Sequence, residues 1–83
     1  MNVRVRLSAG LAQFAGNSRL AVNLAEGATV ADLLDHLRTE YPDLAPKLAT
    51  AIPMVSGKHA VPSDQLITGQ EVALLLPVAG GSN

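Results

Sequence analysis

The stretch Val72-Ala73-Leu74-Leu75-Leu76-Pro77-Val78-Ala79-Gly80-Gly81 decides how this chain folds. Val72 to Leu76 form an unbroken apolar run with the length and character of a strand held inside a sheet. Thr68-Gly69-Gln70 supply a sharp turn into it, so the strand is expected to span Glu71 to Leu76. It leads directly into a Pro-led apolar stalk and two glycines, which leave the edge of the folded core as a tail. Glycine has no Cβ, and two in succession can lie flat in a channel too narrow for any other residue. Such an ending suits a carboxyl group that must be threaded into another protein's active site. Chain ends also fray without any function, so the rest of the sequence has to carry that reading.

At the other end of the chain, Val3, Val5 and Leu7 alternate with Arg4, Arg6 and Ser8, the period-two pattern of a strand with one buried face. Leu20, Val22 and Leu24 repeat the pattern, and the two strands make a hairpin. The segment between them, Gly10 to Gly16, reads as a long connection with Leu11 and Phe14 turned inward. Thr29 is a natural N-cap, and Asp32 three residues later can return the interaction as a capping box. Val30, Leu33, Leu34, Leu37 and Tyr41 then recur at helical spacing, with Asp32, Asp35, His36 and Glu40 on the opposite face, until Pro42 ends the helix. Asp43 to Leu48 predict a further short helical turn. Met54-Val55 start a third strand, Ser56-Gly57-Lys58-His59 turn, and Ala60-Val61 return. Pro62-Ser63-Asp64 form a loop, after which Leu66 and Ile67 pack under the sheet.

That order lets the first and last strands pair in parallel at the centre of a sheet with the helix across one face. The fold class is α+β, a ubiquitin-like β-grasp with a mixed sheet of four to five strands and one main helix. Residues 1–77 form the domain and residues 78–83 its diglycine tail.

At 83 residues the chain is one small domain, near the lower limit for a self-sufficient core. Its 48% apolar content is ample for that core and argues against disorder. It has no cysteine, which excludes disulfides, thiolate metal sites and a cysteine nucleophile; any sulfur chemistry must use sulfur brought from elsewhere. A formal charge of -1 gives no general attraction to nucleic acid or anionic membrane. The first residues alternate apolar and basic, unlike a signal peptide, and no run reaches transmembrane length. The expectation is a cytoplasmic protein with no nucleic-acid or membrane partner.

Few residues suggest chemistry within the domain. His36 lies on the polar side of the helix and His59 beside a glycine turn, neither with ligands at metal spacing, so no metal site is expected. Ser56, His59 and Asp64 include the residue types of a nucleophilic triad, but they fall in turns with no scaffold to fix their geometry. Asp32, Asp35 and Glu40 follow the spacing of a solvated helix face. The terminal glycines are not a phosphate loop, because no lysine and no helix follow them. No catalytic residue is expected. Arg4 and Arg6 should point to the open side of the sheet, beside Ala73 and Leu75 of the last strand. These four residues form a mixed basic and apolar patch, a candidate for partner docking next to the tail.

The layout, together with Thr29-Val30-Ala31-Asp32-Leu33-Leu34, Gly69-Gln70-Glu71-Val72-Ala73 and the Pro77-Val78-Ala79-Gly80-Gly81 ending, resembles the MoaD/ThiS family of ubiquitin-like sulfur carriers. Pro77 and Val78 look most like the small subunit of molybdopterin synthase, with Leu76 standing where that subunit has the first of two prolines. The resemblance implies that an E1-like enzyme, using its own ATP and Mg²⁺, adenylates the carboxylate of Gly81. The acyl-adenylate then receives sulfur, and the resulting thiocarboxylate serves a sulfur-accepting synthase. Pro77, Val78, Ala79 and Gly80 would thread into the partner, and the carrier itself would bind no cofactor. Ordering the tail costs roughly 1–2 kcal/mol per residue, which docking must offset. Family carriers end at the second glycine, whereas Ser82-Asn83 follow it here, so Gly81 is held in a peptide bond. A JAMM-type metalloprotease removes such extensions from some related carriers, which implies a processing role for Ser82 and Asn83; an inactive relative or an appended remnant is the alternative. A modifier joined to lysine through Gly81, or a ubiquitin-like module that is never conjugated, are the competing functions.

Overall fold

The alternation around Val3, Val5 and Leu7 forms β1 (Asn2–Leu7), with the apolar residues buried and Asn2, Arg4 and Arg6 exposed. In this computed structural model residues 1–77 are described; Val78, Ala79, Gly80, Gly81, Ser82 and Asn83, all assigned roles above, lie outside them. β1 is followed by α1 (Ala9–Ala15), β2 (Arg19–Asn23), α2 (Val30–Glu40), α3 (Ala45–Leu48), β3 (Ile52–Val55), β4 (Lys58–His59) and β5 (Glu71–Leu75). The strands form one mixed sheet in the order β2-β1-β5-β3-β4, with β1 and β5 parallel and the other pairs antiparallel. The apolar run from Val72 therefore builds the central strand, and the β-grasp expectation holds.

Helix α2 begins as its sequence requires. Thr29 accepts the N–H of Asp32, and the Asp32 carboxylate accepts the N–H of Thr29 at 2.9 Å, completing a capping box. Two more N–H groups of the first turn, of Val30 and Ala31, donate to the carbonyls of Asp64 and Pro62. The loop before β5 thereby satisfies helix-end donors that would otherwise need water. Val30, Leu33, Leu34 and Leu37 are buried against Val3, Val5, Leu7, Val22, Val72 and Leu74 of the sheet, with Leu44, Leu48 and Leu66 completing the core. Each such side chain contributes at most about 1.5–3 kcal/mol on burial. That exceeds the roughly 1 kcal/mol of a cap, so packing holds α2 and the box fixes where it starts.

Four expectations need correction. Gly10 to Gly16 are not a loop: Ala9–Ala15 form α1, closed by Gly16 in the left-handed conformation (φ 81). Leu11 is fully buried as expected, but Phe14 is 36% exposed, with the Lys47 ammonium 5.4 Å from its ring centre. The turn after β3 is only Ser56-Gly57, so Lys58 and His59 form β4 and Ala60-Val61 lie beyond it. Leu66 is buried but Ile67 is 66% exposed, because its N–H donates to the Gln70 side chain in the turn before β5 and its side chain faces away from the core.

Candidate functional site

Strand register builds one continuous surface on the side of the sheet away from α2. Arg4 pairs with Glu71 and Arg6 with Ala73 across the parallel β1–β5 ladder. Ile52 pairs with Leu75 and Met54 with Ala73 across β3–β5, while Ala21 and Arg19 sit opposite Arg4 and Arg6 on β2. Because side chains alternate between faces, these residues share the open face. Its half toward β2 is basic (Arg4, Arg6 and Arg19, with Glu71 flanking Arg4 on β5), and its half toward β3 is apolar (Ile52, Met54, Ala73, Leu75). A shallow depression of about 320 Å³ lies where the halves meet, lined by Arg6, Met54, Glu71, Ala73 and Leu75 among others.

Arg4, Arg6 and Leu75 are exposed there as the sequence predicts, Leu75 at 40%. Ala73 is on the expected face but only 9% exposed, because a methyl group is overshadowed by the longer side chains of its neighbours in register, Arg6 and Met54. It floors the depression and does not project. Arg19, Ile52 and Met54 escaped the sequence reading. Arg19 begins the exposed alternation Arg19, Ala21, Asn23, opposite the apolar Leu20 and Val22, but only the β1–β2 register shows that it stands beside Arg6.

The same strand carries the chain toward its tail. Leu76, half-buried, packs against the core and over Gly10 of α1, and Pro77 is exposed. The Ser8 N–H donates to the Leu74 carbonyl at 3.0 Å, tying the end of β5 to the start of α1.

The other candidates do not assemble into a site. His36 meets Glu40 at 3.0 Å on the helix surface, an i,i+4 pair. Ser56, His59 and Asp64 border one open depression, but all three are exposed and the Asp64 carboxylate is occupied by the Val61 N–H at 2.9 Å. Among the described residues no group of three or more His, Asp or Glu side chains could hold a metal, and no helix is long and apolar enough to cross a membrane.

A mixed five-stranded sheet gripping one main helix, with its central strand running into a Pro-led diglycine segment, defines a ubiquitin-like β-grasp protein. The sequence matches the ThiS family over residues 5–81, and the chain belongs to that family. Small proteins of the ThiS family are carriers and not catalysts. Solved structures agree in fold. SAMP1 from Haloferax volcanii is 28% identical with a TM-score of 0.85, covering 98% of this chain and 100% of its own. A putative molybdopterin converting factor subunit 1 from Pyrococcus furiosus is 24% identical with a TM-score of 0.86, covering 94% of this chain and 99% of its own. The complex of subunits 1 and 2 of molybdopterin-converting factor from Helicobacter pylori contains a chain 20% identical, with a TM-score of 0.71, covering 98% of this chain and 100% of its own. No curated protein matches the sequence.

Proposed function

We propose that this chain is a sulfur carrier. After removal of Ser82-Asn83, an E1-like enzyme adenylates the Gly81 carboxylate, and the acyl group becomes a thiocarboxylate that donates sulfur in cofactor or metabolite synthesis. The observation that carries this reading is the family match, which runs through Gly80-Gly81 and stops there, leaving Ser82 and Asn83 outside it. A carboxylate is a poor electrophile until one oxygen becomes a leaving group. Attack of that oxygen on ATP releases pyrophosphate and leaves an acyl-adenylate; a sulfide-level donor then forms the C–S bond as AMP departs. ATP and Mg²⁺ belong to the partner. This chain supplies a narrow tail, Pro77 to Gly81, and a face for docking at Arg4, Arg6, Ala73 and Leu75. Cleavage of the Gly81–Ser82 bond is assigned to a JAMM-type metalloprotease, and the work to the cytoplasm. The Pro77-Val78 ending and the similarity to molybdopterin converting factor subunits favour a molybdopterin-type synthase as the sulfur acceptor, with this chain as its small subunit.

The similarity to SAMP1, a small archaeal modifier protein, favours a second reading in which a lysine amine attacks the same activated carbonyl and forms an isopeptide bond. One experiment separates the two. A chain ending at Gly81 is given the E1-like enzyme of its own organism, ATP, Mg²⁺ and sulfide, and its mass is read. Replacement of one oxygen by sulfur is the expected result. The chain retaining Ser82-Asn83 should stay unmodified, and Gly80→Val should react poorly because a β-branched side chain stiffens and widens the tail. Isopeptide-linked products without any thiocarboxylate would favour the modifier. Absence of both would leave the non-conjugated interaction module.

A further inference from the structure

We infer that the open sheet face is built to receive an acidic protein surface, with Arg4, Arg6 and Arg19 guiding its approach and Ile52, Met54 and Leu75 holding it. This rests on the carrier reading above and names the chemistry of the surface that reading requires.

Two observations carry it. The first is charge segregation. The open face holds three arginines against the single carboxylate of Glu71, while the rest of the molecule holds three cations, Arg38, Lys47 and Lys58, against six carboxylates. A chain of nearly zero net charge thus presents one positive face. Among the described residues none of these three arginines is in an ion pair, and only the Arg4 guanidinium makes a hydrogen bond, to the Gly69 carbonyl at 3.2 Å.

The second is the placing of Arg6 against Arg19. The Leu7 N–H donates to Ser18 and the Leu24 N–H to Met1, which makes the intervening Arg6–Arg19 position a non-hydrogen-bonded pair. Side chains approach closest in such pairs, and like charges directly opposite one another destabilise a sheet. Nothing in the fold requires that arrangement, since a neutral residue at either position would complete the same ladder. Carboxylates arriving from a partner would relieve the repulsion, so binding draws on a tension already present in the free protein. Nucleic acid fits less well. Half of the face is apolar, Glu71 stands beside Arg4 where the arginines end, and the remaining surface is net negative, whereas phosphate backbones are held by extended basic tracts.

Charges around an apolar seat act mainly on association rate, and the seat itself on dissociation. The test measures binding of the chain ending at Gly81 to the E1-like enzyme of its own organism, by surface plasmon resonance at 50 and 500 mM NaCl. The association rate should fall about tenfold or more with salt. At low salt Arg19→Glu should slow association by about tenfold and Arg19→Gln by less, while Glu71→Gln should accelerate it. Leu75→Ala should instead raise the dissociation rate. Circular dichroism and thermal unfolding confirm that each variant is folded. A salt-independent association rate, Glu71→Gln and Arg19→Glu changing it in the same direction, or no binding at low salt would overturn the inference. So would tighter binding of a thirty-nucleotide oligothymidylate, or self-association through this face in sedimentation. Thiocarboxylate formation is scored separately at saturating enzyme. If it proceeds while association ignores charge, this inference fails alone; if association follows charge but no sulfur is accepted, the carrier reading fails alone.

Discussion

Gly10 lies against Leu76 so closely that a Cβ added to it would stand 2.8 Å from the Leu76 Cδ1. The first turn of α1 is thereby shaped to seat the residue at which the chain leaves the sheet. Glycine within a helix is a liability of about 1 kcal/mol relative to alanine. Gly10→Ala recovers that propensity but forces Leu76 off its position, at a cost of about 0.5–1.5 kcal/mol. The two nearly cancel, so stability should change by less than about 1 kcal/mol. The altered exit from β5 should nevertheless slow thiocarboxylation of the chain ending at Gly81. NMR shifts of Leu76 and Pro77 should move while those of Leu33 and Leu37 stay fixed. Unchanged Leu76 shifts would mean that the close approach has no part in aiming the tail.

The start of α2 offers a test of which force holds the helix. Leu33 is fully buried, and Leu33→Ala should cost about 2–5 kcal/mol in urea unfolding. Thr29→Ala removes the cap and should cost about 1 kcal/mol. Thr29→Ala combined with Asp32→Ala should cost less than the sum of the two, because the Thr29 hydroxyl also donates to the Asp32 carboxylate at 3.2 Å, a bond that either substitution alone removes. A Thr29→Ala cost equal to that of Leu33→Ala would show the box to be more than a boundary marker.

These elements differ in how visible they are in the sequence. Helix α2 is legible because its cap, its apolar stripe and its proline stop all agree. β1 and β5 are legible because strict alternation suits a half-buried strand, and a short apolar run bounded by turns suits a central one. Helix α1 is not. Gly10 and Gly16 bracket Leu11–Ala15 like a loop, yet Gly16 is a C-terminal cap and Gly10 a packing contact with Leu76 that only the tertiary structure shows. The candidate face is half legible for a related reason. Alternation gives the side to which Arg4, Arg6 and Leu75 point, but not which strands lie beside them. Register alone brings Arg19 opposite Arg6 and places Met54 over Ala73.

The turn between β3 and β4 stores removable strain. Ser56 (φ 53) and Gly57 (φ 78) both have positive φ, the signature of a two-residue type I′ hairpin turn. Serine is poorly suited to that conformation, whereas asparagine tolerates it. Ser56→Asn should therefore stabilise the domain by on the order of 0.5–1 kcal/mol. The gain would be read as a rise in urea midpoint at constant slope. A midpoint unchanged or lowered would show that the serine is not strained there.

Leu74 and Leu75 are identical neighbours on β5 with opposite surroundings, the first fully buried and the second 40% exposed. A glutamate at each asks two different questions. Leu74→Glu places a carboxylate among Leu7, Leu11 and the rest of the core with no partner for its charge, a change severe enough to prevent folding at neutral pH. Leu75→Glu puts the same group on the open face, where water solvates it, so thermal unfolding should stay close to that of the unaltered protein. Its effect should appear on docking. The apolar half of the face would then carry a charge that a partner must desolvate, and adenylation of the chain ending at Gly81 should fall at least about tenfold, a loss of roughly 1.4 kcal/mol or more of binding. Raising the E1-like enzyme to saturation should recover most of the rate, because nothing in the tail has changed. A folded Leu75→Glu variant that is adenylated at the normal rate under subsaturating enzyme would move the docking site off this face of the sheet.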